Sequence, residues 1–210
     1  MSKNIFIMGD SYSTYGGYIP EGYHTYYSDA RTAAPIVCGV EKTWWKILER
    51  ENGLEIKRND SYSGSTVCNT GREGQVPEAT FLRRFDKYVA EDFFAANRID
   101  TALLFGGTND SWVNCPIGEL KYSDPTEEEL LCVLPAFCYL IQGLKDAVKN
   151  VIVIVNCGLK AEVTEGIVAA CEKIGVPYVR LHDIDKECGH PTELGMRQIA
   201  DQVGEVLRGL

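Results

Sequence analysis

Ser11 and His190 are the residues whose chemistry would matter most together. A serine hydroxyl is a weak nucleophile until a base takes its proton, and imidazole suits that task near neutral pH. The chain has three histidines, at 24, 182 and 190, so the candidates for that base are few. His24 lies in a tyrosine-rich stretch, and His182 follows an apolar run where a structural role serves equally well. His190 precedes Pro191-Thr192 at the start of the last helical pattern, well placed to project from a loop toward a sheet edge. Acyl transfer also needs donors for the developing oxyanion. The backbone N–H groups of Ser11 and Gly64 and the side-chain amide of Asn109 could supply three, and glycine at 64 lets substrate approach the backbone closely.

The elements that must position these residues follow from hydrophobic patterning. Asn4-Ile5-Phe6-Ile7-Met8 is a short apolar run that stops at Gly9-Asp10-Ser11. Such a run reads as a strand buried on both faces, and open α/β sheets place ligands at the carboxyl ends of their strands. Further strands are expected at Leu54 to Lys57, Thr101 to Phe105, Val151 to Val155 and Pro177 to Leu181. The second ends in the polar stretch Asn59 to Thr66, and the third in Gly106-Gly107-Thr108-Asn109-Asp110. Helical spacing of apolar residues covers Lys42 to Glu51, Glu78 to Ala90, Glu127 to Val148, Val163 to Ile174 and the stretch after Thr192. Pro135 either kinks the third of these or marks its true start. Strands alternating with helices imply a parallel sheet covered on both faces, and the absence of repeats or linkers implies one domain over residues 1–210.

Composition narrows the class. Hydrophobic residues make up 45% and charged residues 24%, values ordinary for a globular protein with its own core. The net charge of −9 argues against nucleic acid or an anionic membrane as a main partner. No apolar run has the length of a membrane span or the layout of a signal peptide. The eight cysteines include no Cys-x-x-Cys pair, so reduced thiols in a cytoplasmic protein are the expectation. Nothing in the sequence fixes the oligomeric state.

Taken in chain order, Gly9-Asp10-Ser11, Asn59 to Thr66 with Gly64, Gly106 to Asp110 and His190-Pro191 resemble the four sequence blocks of the SGNH (GDSL-type) hydrolase superfamily. The blocks span positions 9 to 191. The resemblance implies a flavodoxin-like five-stranded sheet in the order 2-1-3-4-5. It also implies esterase, lipase, thioesterase or deacetylase chemistry without metal or other cofactor. Carried over by position, Ser11 is nucleophile and oxyanion donor, Gly64 and Asn109 are the other donors, and His190 is the general base. Family members usually carry Asp three residues before the histidine, and here Glu187 stands there. Glu187 is the first candidate to orient the imidazole, with Asp185, Asp183 or a backbone carbonyl as substitutes.

Other chemistries compete for the same residues. His182, Asp183, Asp185, Cys188 and His190 include ligand types a divalent metal accepts, but their spacing matches no familiar site. The Gly-Gly-Thr-Asn-Asp turn lacks the lysine of a phosphate-binding loop. The loop from Tyr12 to Val40 holds six of the eleven tyrosines, which either pack it onto the body or stack on a substrate. Tyr12 and Trp112 are the substrate-contact candidates. The expected activity is cleavage of a small ester, with acetyl groups on a carbohydrate the leading substrate. A lipase or thioesterase, or a non-catalytic carbohydrate-binding protein on the same fold, are the alternatives.

Overall fold

The first strand is buried on both faces, which explains its unbroken apolar run. In the computed structural model, which describes residues 3–210, the elements run β1 (Lys3–Gly9), α1 (Trp44–Asn52), β2 (Leu54–Ser61), α2 (Phe81–Ala90), α3 (Phe93–Ala96), β3 (Thr101–Gly106) and α4 (Thr108–Trp112). They continue with α5 (Val133–Ala147), β4 (Asn150–Val155), α6 (Ala161–Ile174), β5 (Tyr178–Arg180), β6 (Lys186–Glu187), β7 (His190–Pro191) and α7 (Glu193–Arg208). Five strands form one parallel sheet in the order β2-β1-β3-β4-β5. The two-residue strands β6 and β7 pair separately as an antiparallel hairpin.

Period-two alternation sorts the core into two layers. Ile5 and Ile7 of β1, Leu103 and Phe105 of β3, and Ile152 and Ile154 of β4 pack with Trp44, Leu48, Ile199 and Val203 of α1 and α7. Their neighbours Phe6, Met8, Leu104 and Val153 pack against α2, α5 and α6. Both faces are therefore dry, and the sheet edge where the strands end is the place left for polar side chains.

Local chemistry sets the helix limits. The Thr43 side chain accepts from Lys46 N–H and caps α1, and Gly53 ends that helix in the left-handed region at φ 62°. Pro135 lies in the first turn of α5, where a missing N–H costs nothing, so it marks the start and not a kink. Thr192, two residues after His190, caps α7 by accepting from Gly195 N–H at 3.2 Å. No helix among the described residues is long and apolar enough to cross a membrane.

Candidate active site

β1 delivers Ser11 to the carboxyl edge of the sheet. Gly9 is required there because a Cβ would come within 2.6 Å of Ser61 Oγ and 2.7 Å of Ser13 Oγ. The chain then turns through a single 3₁₀ turn, Ser11–Ser13, whose first amides are capped by Asp10: its carboxylate accepts from Tyr12 N–H at 3.0 Å. Asn59 ties this turn to β2 by donating to the Ser13 carbonyl at 2.9 Å, and Trp44 Nε1–H donates to Ser13 Oγ at 3.2 Å. The turn that carries Ser11 is thus held from three sides.

The β6–β7 hairpin delivers His190. Its turn residues Cys188 and Gly189 both have positive φ, 50° and 78°, the signature of the tight turn that matches strand twist. The Tyr12 hydroxyl donates to the Gly189 carbonyl, and the Tyr27 hydroxyl donates to the Pro191 carbonyl at 2.7 Å. His190 Nε2 lies 3.0 Å from Ser11 Oγ, across 179 residues of sequence. Both residues are buried.

Burial controls the ionisation of the site. Desolvation disfavours the imidazolium, and the charges of Arg31 and Lys186 add to it, so the His190 pKa falls to about 4 even though the Cys188 carbonyl works the other way. Desolvation likewise raises Asp10 to about 6, partly opposed by its hydrogen bond from Tyr12 N–H. The His190 imidazole is therefore neutral at physiological pH.

Two loops close the site. After β2 the chain reaches Gly64 at φ 87°, a conformation open to glycine and costly for other residues. Asn109, in the first turn of α4, donates through Nδ2 to the Ser65 carbonyl at 3.0 Å. That bond uses one amide hydrogen and leaves the second. Next to it, the buried Asp110 carboxylate accepts from Val67 N–H at 2.9 Å and Cys68 N–H at 3.1 Å, locking the two loops together. Beneath them Arg84 and Asp60 form an ion pair, both fully buried. Arg84 also donates to the Gly9 carbonyl at 3.2 Å and Ser65 Oγ at 3.3 Å. Neither Arg84 nor the Asp110 clamp was an expectation from sequence; a lone arginine on the apolar face of α2 was the available signal.

The carboxylates expected to orient His190 do not reach it. Glu187 pairs with His190 in the hairpin ladder, but its side chain is exposed and makes no hydrogen bond among the described residues. A carboxylate left in water keeps its hydration, which burial in this dry corner would remove. Asp185 accepts from the Thr192 hydroxyl and Asp183 faces His182 Nδ1. The acceptor at His190 Nδ1 is the Cys188 carbonyl, at 3.3 Å. Tyr12 is a second correction. It is 1% exposed, with its ring edge-on to Phe105, so it supports the hairpin and offers no surface to substrate. Trp112 is 47% exposed, with its ring 5.6 Å from that of His190.

The loop residues weighed as metal ligands do not converge. Among the described residues the convergent set is Cys68, Asp110 and Cys115, where the carboxylate oxygens already accept backbone N–H groups. A cleft of about 700 Å³ between α2, α5 and the segment 121–125 contains neither Ser11 nor His190. The paired Ser11 and His190, and not that cleft, form the candidate site.

Comparison with known proteins agrees with this architecture. The family model for GDSL-like Lipase/Acylhydrolase matches residues 3–207. A chain from Bacteroides uniformis ATCC 8492 assigned as a GDSL-like lipase is 38% identical, with TM-score 0.90, covering 100% of this chain and 97% of its own. A second, from Bacteroides ovatus ATCC 8483, is 35% identical with TM-score 0.90 and full coverage of both chains. More distantly, Est24, a carbohydrate acetylesterase from Sinorhizobium meliloti, shares the fold at 13% identity and TM-score 0.58, covering 99% of each chain. No curated protein matches the chain. The four motif blocks, the sheet order and the family match over nearly the full length lead to one assignment: the chain belongs to the GDSL-like lipase/acylhydrolase family.

Proposed function

We propose that this protein is a serine esterase that removes a small acyl group, with acetyl the leading candidate, from a carbohydrate. The observation that carries the reading is the 3.0 Å contact between Ser11 Oγ and His190 Nε2 at the carboxyl edge of the sheet. In this mechanism Ser11 Oγ attacks the ester carbonyl while its proton passes to Nε2. The Ser11 and Gly64 amides and the second Asn109 amide hydrogen hold the negative oxygen. His190 returns the proton to the departing alcohol, leaving an acyl-enzyme. Water, deprotonated by His190, then releases the acid and restores Ser11.

An ester is the bond that fits this apparatus. With no carboxylate at Nδ1 the imidazolium is poorly stabilised and His190 is a weak base, which suits attack on an ester carbonyl better than on the less electrophilic carbonyl of an amide. The exposed Trp112 ring beside His190 supplies a flat face for a sugar, and the fold is shared with a carbohydrate acetylesterase. The 700 Å³ cleft, where a long acyl chain would find room, does not reach Ser11. Ser11→Ala is expected to abolish hydrolysis of 4-nitrophenyl acetate without lowering the thermal midpoint. Full activity in that variant would defeat the mechanism. In a panel of acetyl, butyryl and octanoyl esters with an acetylated xylo-oligosaccharide, preference for octanoyl would replace the acetyl assignment with a lipase or thioesterase.

A further inference from the structure

A histidine base needs its ring plane fixed as well as its tautomer. The Cys188 carbonyl can fix the tautomer, but one hydrogen bond of 3.3 Å leaves the ring free to tilt about it. In a triad the carboxylate removes that freedom and also stabilises the imidazolium. Here the three nearby carboxylates are exposed or otherwise engaged.

Another group occupies the face of the ring. Tyr26 lies parallel to His190, with centroids 3.6 Å apart and planes 8° apart. The other aromatic neighbours, Tyr12, Tyr27 and Trp112, meet the imidazole at 54° to 76° and at 5.3 to 6.5 Å. Parallel rings at 3.6 Å are in van der Waals contact across their whole faces, so turning the imidazole drives an edge into the phenol ring.

Tyr26 is itself held. Its N–H donates to Thr14 Oγ1 at 2.9 Å, and that hydroxyl donates to the Ser11 carbonyl at 3.1 Å. One hydroxyl therefore joins the nucleophile's backbone to that of the stacked tyrosine. The Arg31 guanidinium sits 3.9 Å from the Tyr26 ring centroid. It cannot share the face that the imidazole already covers, so guanidinium, phenol and imidazole form a three-layer stack. Arg31 is fixed in turn by donating to the carbonyls of Pro35 at 3.1 Å, Tyr26 at 3.3 Å and Ala34 at 3.3 Å.

On the esterase reading above, we infer that Tyr26, clamped by Arg31, is a positioning residue that supplies the orientation a triad's carboxylate would give His190. The stack fixes geometry and supplies no negative charge, since the outer layer is a cation. The groups facing His190 are Ser11, the Cys188 carbonyl, the Tyr12, Tyr26, Tyr27 and Trp112 rings, and the charges of Arg31 and Lys186.

The test uses the full-length protein with 4-nitrophenyl acetate. Tyr26→Phe keeps the stacked ring and is expected to retain kcat within about twofold, whereas Tyr26→Leu loses on the order of 10²-fold in kcat with KM little changed, the cost of a misaligned catalytic group. A loss in kcat at unchanged KM, restored by phenylalanine, is the readout that a merely structural role would not give, and exposing the imidazole face to water also moves the acid limb of the pH profile upward in Tyr26→Leu. Glu187→Gln, at an exposed position, retains activity within about twofold. Unchanged kcat and acid limb in Tyr26→Leu, or a loss in Glu187→Gln as large as that expected of Tyr26→Leu, overturns the inference. Ser11→Ala separates the two levels: if it is inactive while the Tyr26 variants behave as wild type, only the positioning role fails.

Discussion

If His190 is the base of the proposed esterase, the pH dependence of its activity follows from where that residue is buried. An exposed histidine titrates near 6.5, whereas desolvation in the dry pocket under Tyr26 and Trp112, together with the charges of Arg31 and Lys186, lowers His190 to about 4. In the proposed mechanism the active form is the neutral imidazole. At pH 5.5 a base with pKa near 6.5 would be about 9% active, and one near 4 about 97% active, roughly a tenfold difference. The assay is kcat/KM for 4-nitrophenyl acetate from pH 8 to pH 4, read at the isosbestic wavelength of the nitrophenol. Folding must be followed alongside. Because the folded pKa lies below the unfolded one, the unfolded chain takes the proton first. Stability from this group is complete above pH 6.5 and is lost as pH falls toward about 4, by about 3 kcal/mol in all. Thermal midpoints at each pH, with His190→Gln as the variant lacking this proton, separate inactivation from unfolding. An acid limb near 6.5 in protein that is still folded would refute the argument that burial sets the base.

Asp10 gives the opposite sign. Its folded pKa, raised to about 6 by burial, makes its contribution to stability greatest below pH 3.8 and lost as pH rises through 6. Asp10→Asn should therefore flatten the fall in stability with rising pH, which amounts to about 3 kcal/mol in all and about 1.4 kcal/mol between pH 5 and pH 8, followed through the thermal midpoint. Asn109→Ala removes one proposed oxyanion donor and should lower kcat by about 10²–10³ with the fold intact, checked by initial rates and thermal melting. Arg84→Met leaves the buried Asp60 carboxylate without its partner, expected to cost about 3–5 kcal/mol in a denaturant titration, and loosens Gly9 and Ser65 together. Trp112→Ala should raise KM for an acetylated xylo-oligosaccharide several-fold while sparing 4-nitrophenyl acetate, provided that ring is the sugar platform; equal effects on both substrates would remove it from that role.

The sheet was legible because its signal is local. β1, β3 and β4 are continuous apolar runs that end abruptly in Gly, Ser or Asn, and a strand buried on both faces has no other appearance. The pairing of Ser11 with a histidine could be anticipated by elimination, since there were three to choose from, and the motif blocks singled out His190. Glu187 misled because spacing along the chain says nothing of which side chain stays in water. The hairpin through Cys188 and Gly189 places it opposite His190 in register yet leaves its carboxylate exposed. The loop from Tyr12 to Val40 has no periodicity, so the separate fates of its tyrosines were invisible. Tyr12, Tyr15 and Tyr27 are buried, Tyr18 is exposed, and Tyr26 stacks on the base. Tyr12, Tyr26 and Tyr27 owe theirs to the hairpin more than 150 positions away, which no local pattern records, whereas Tyr15 bonds within its own loop.

The central claim is that Ser11 is activated by His190. A fluorophosphonate reacts with an activated serine and leaves a covalent adduct, so intact-mass measurement followed by peptide mapping reads the claim directly. The account predicts one adduct per chain, on Ser11, absent in Ser11→Ala and formed far more slowly in His190→Ala. A folded wild-type protein that takes no label, or takes it at another residue, would contradict it.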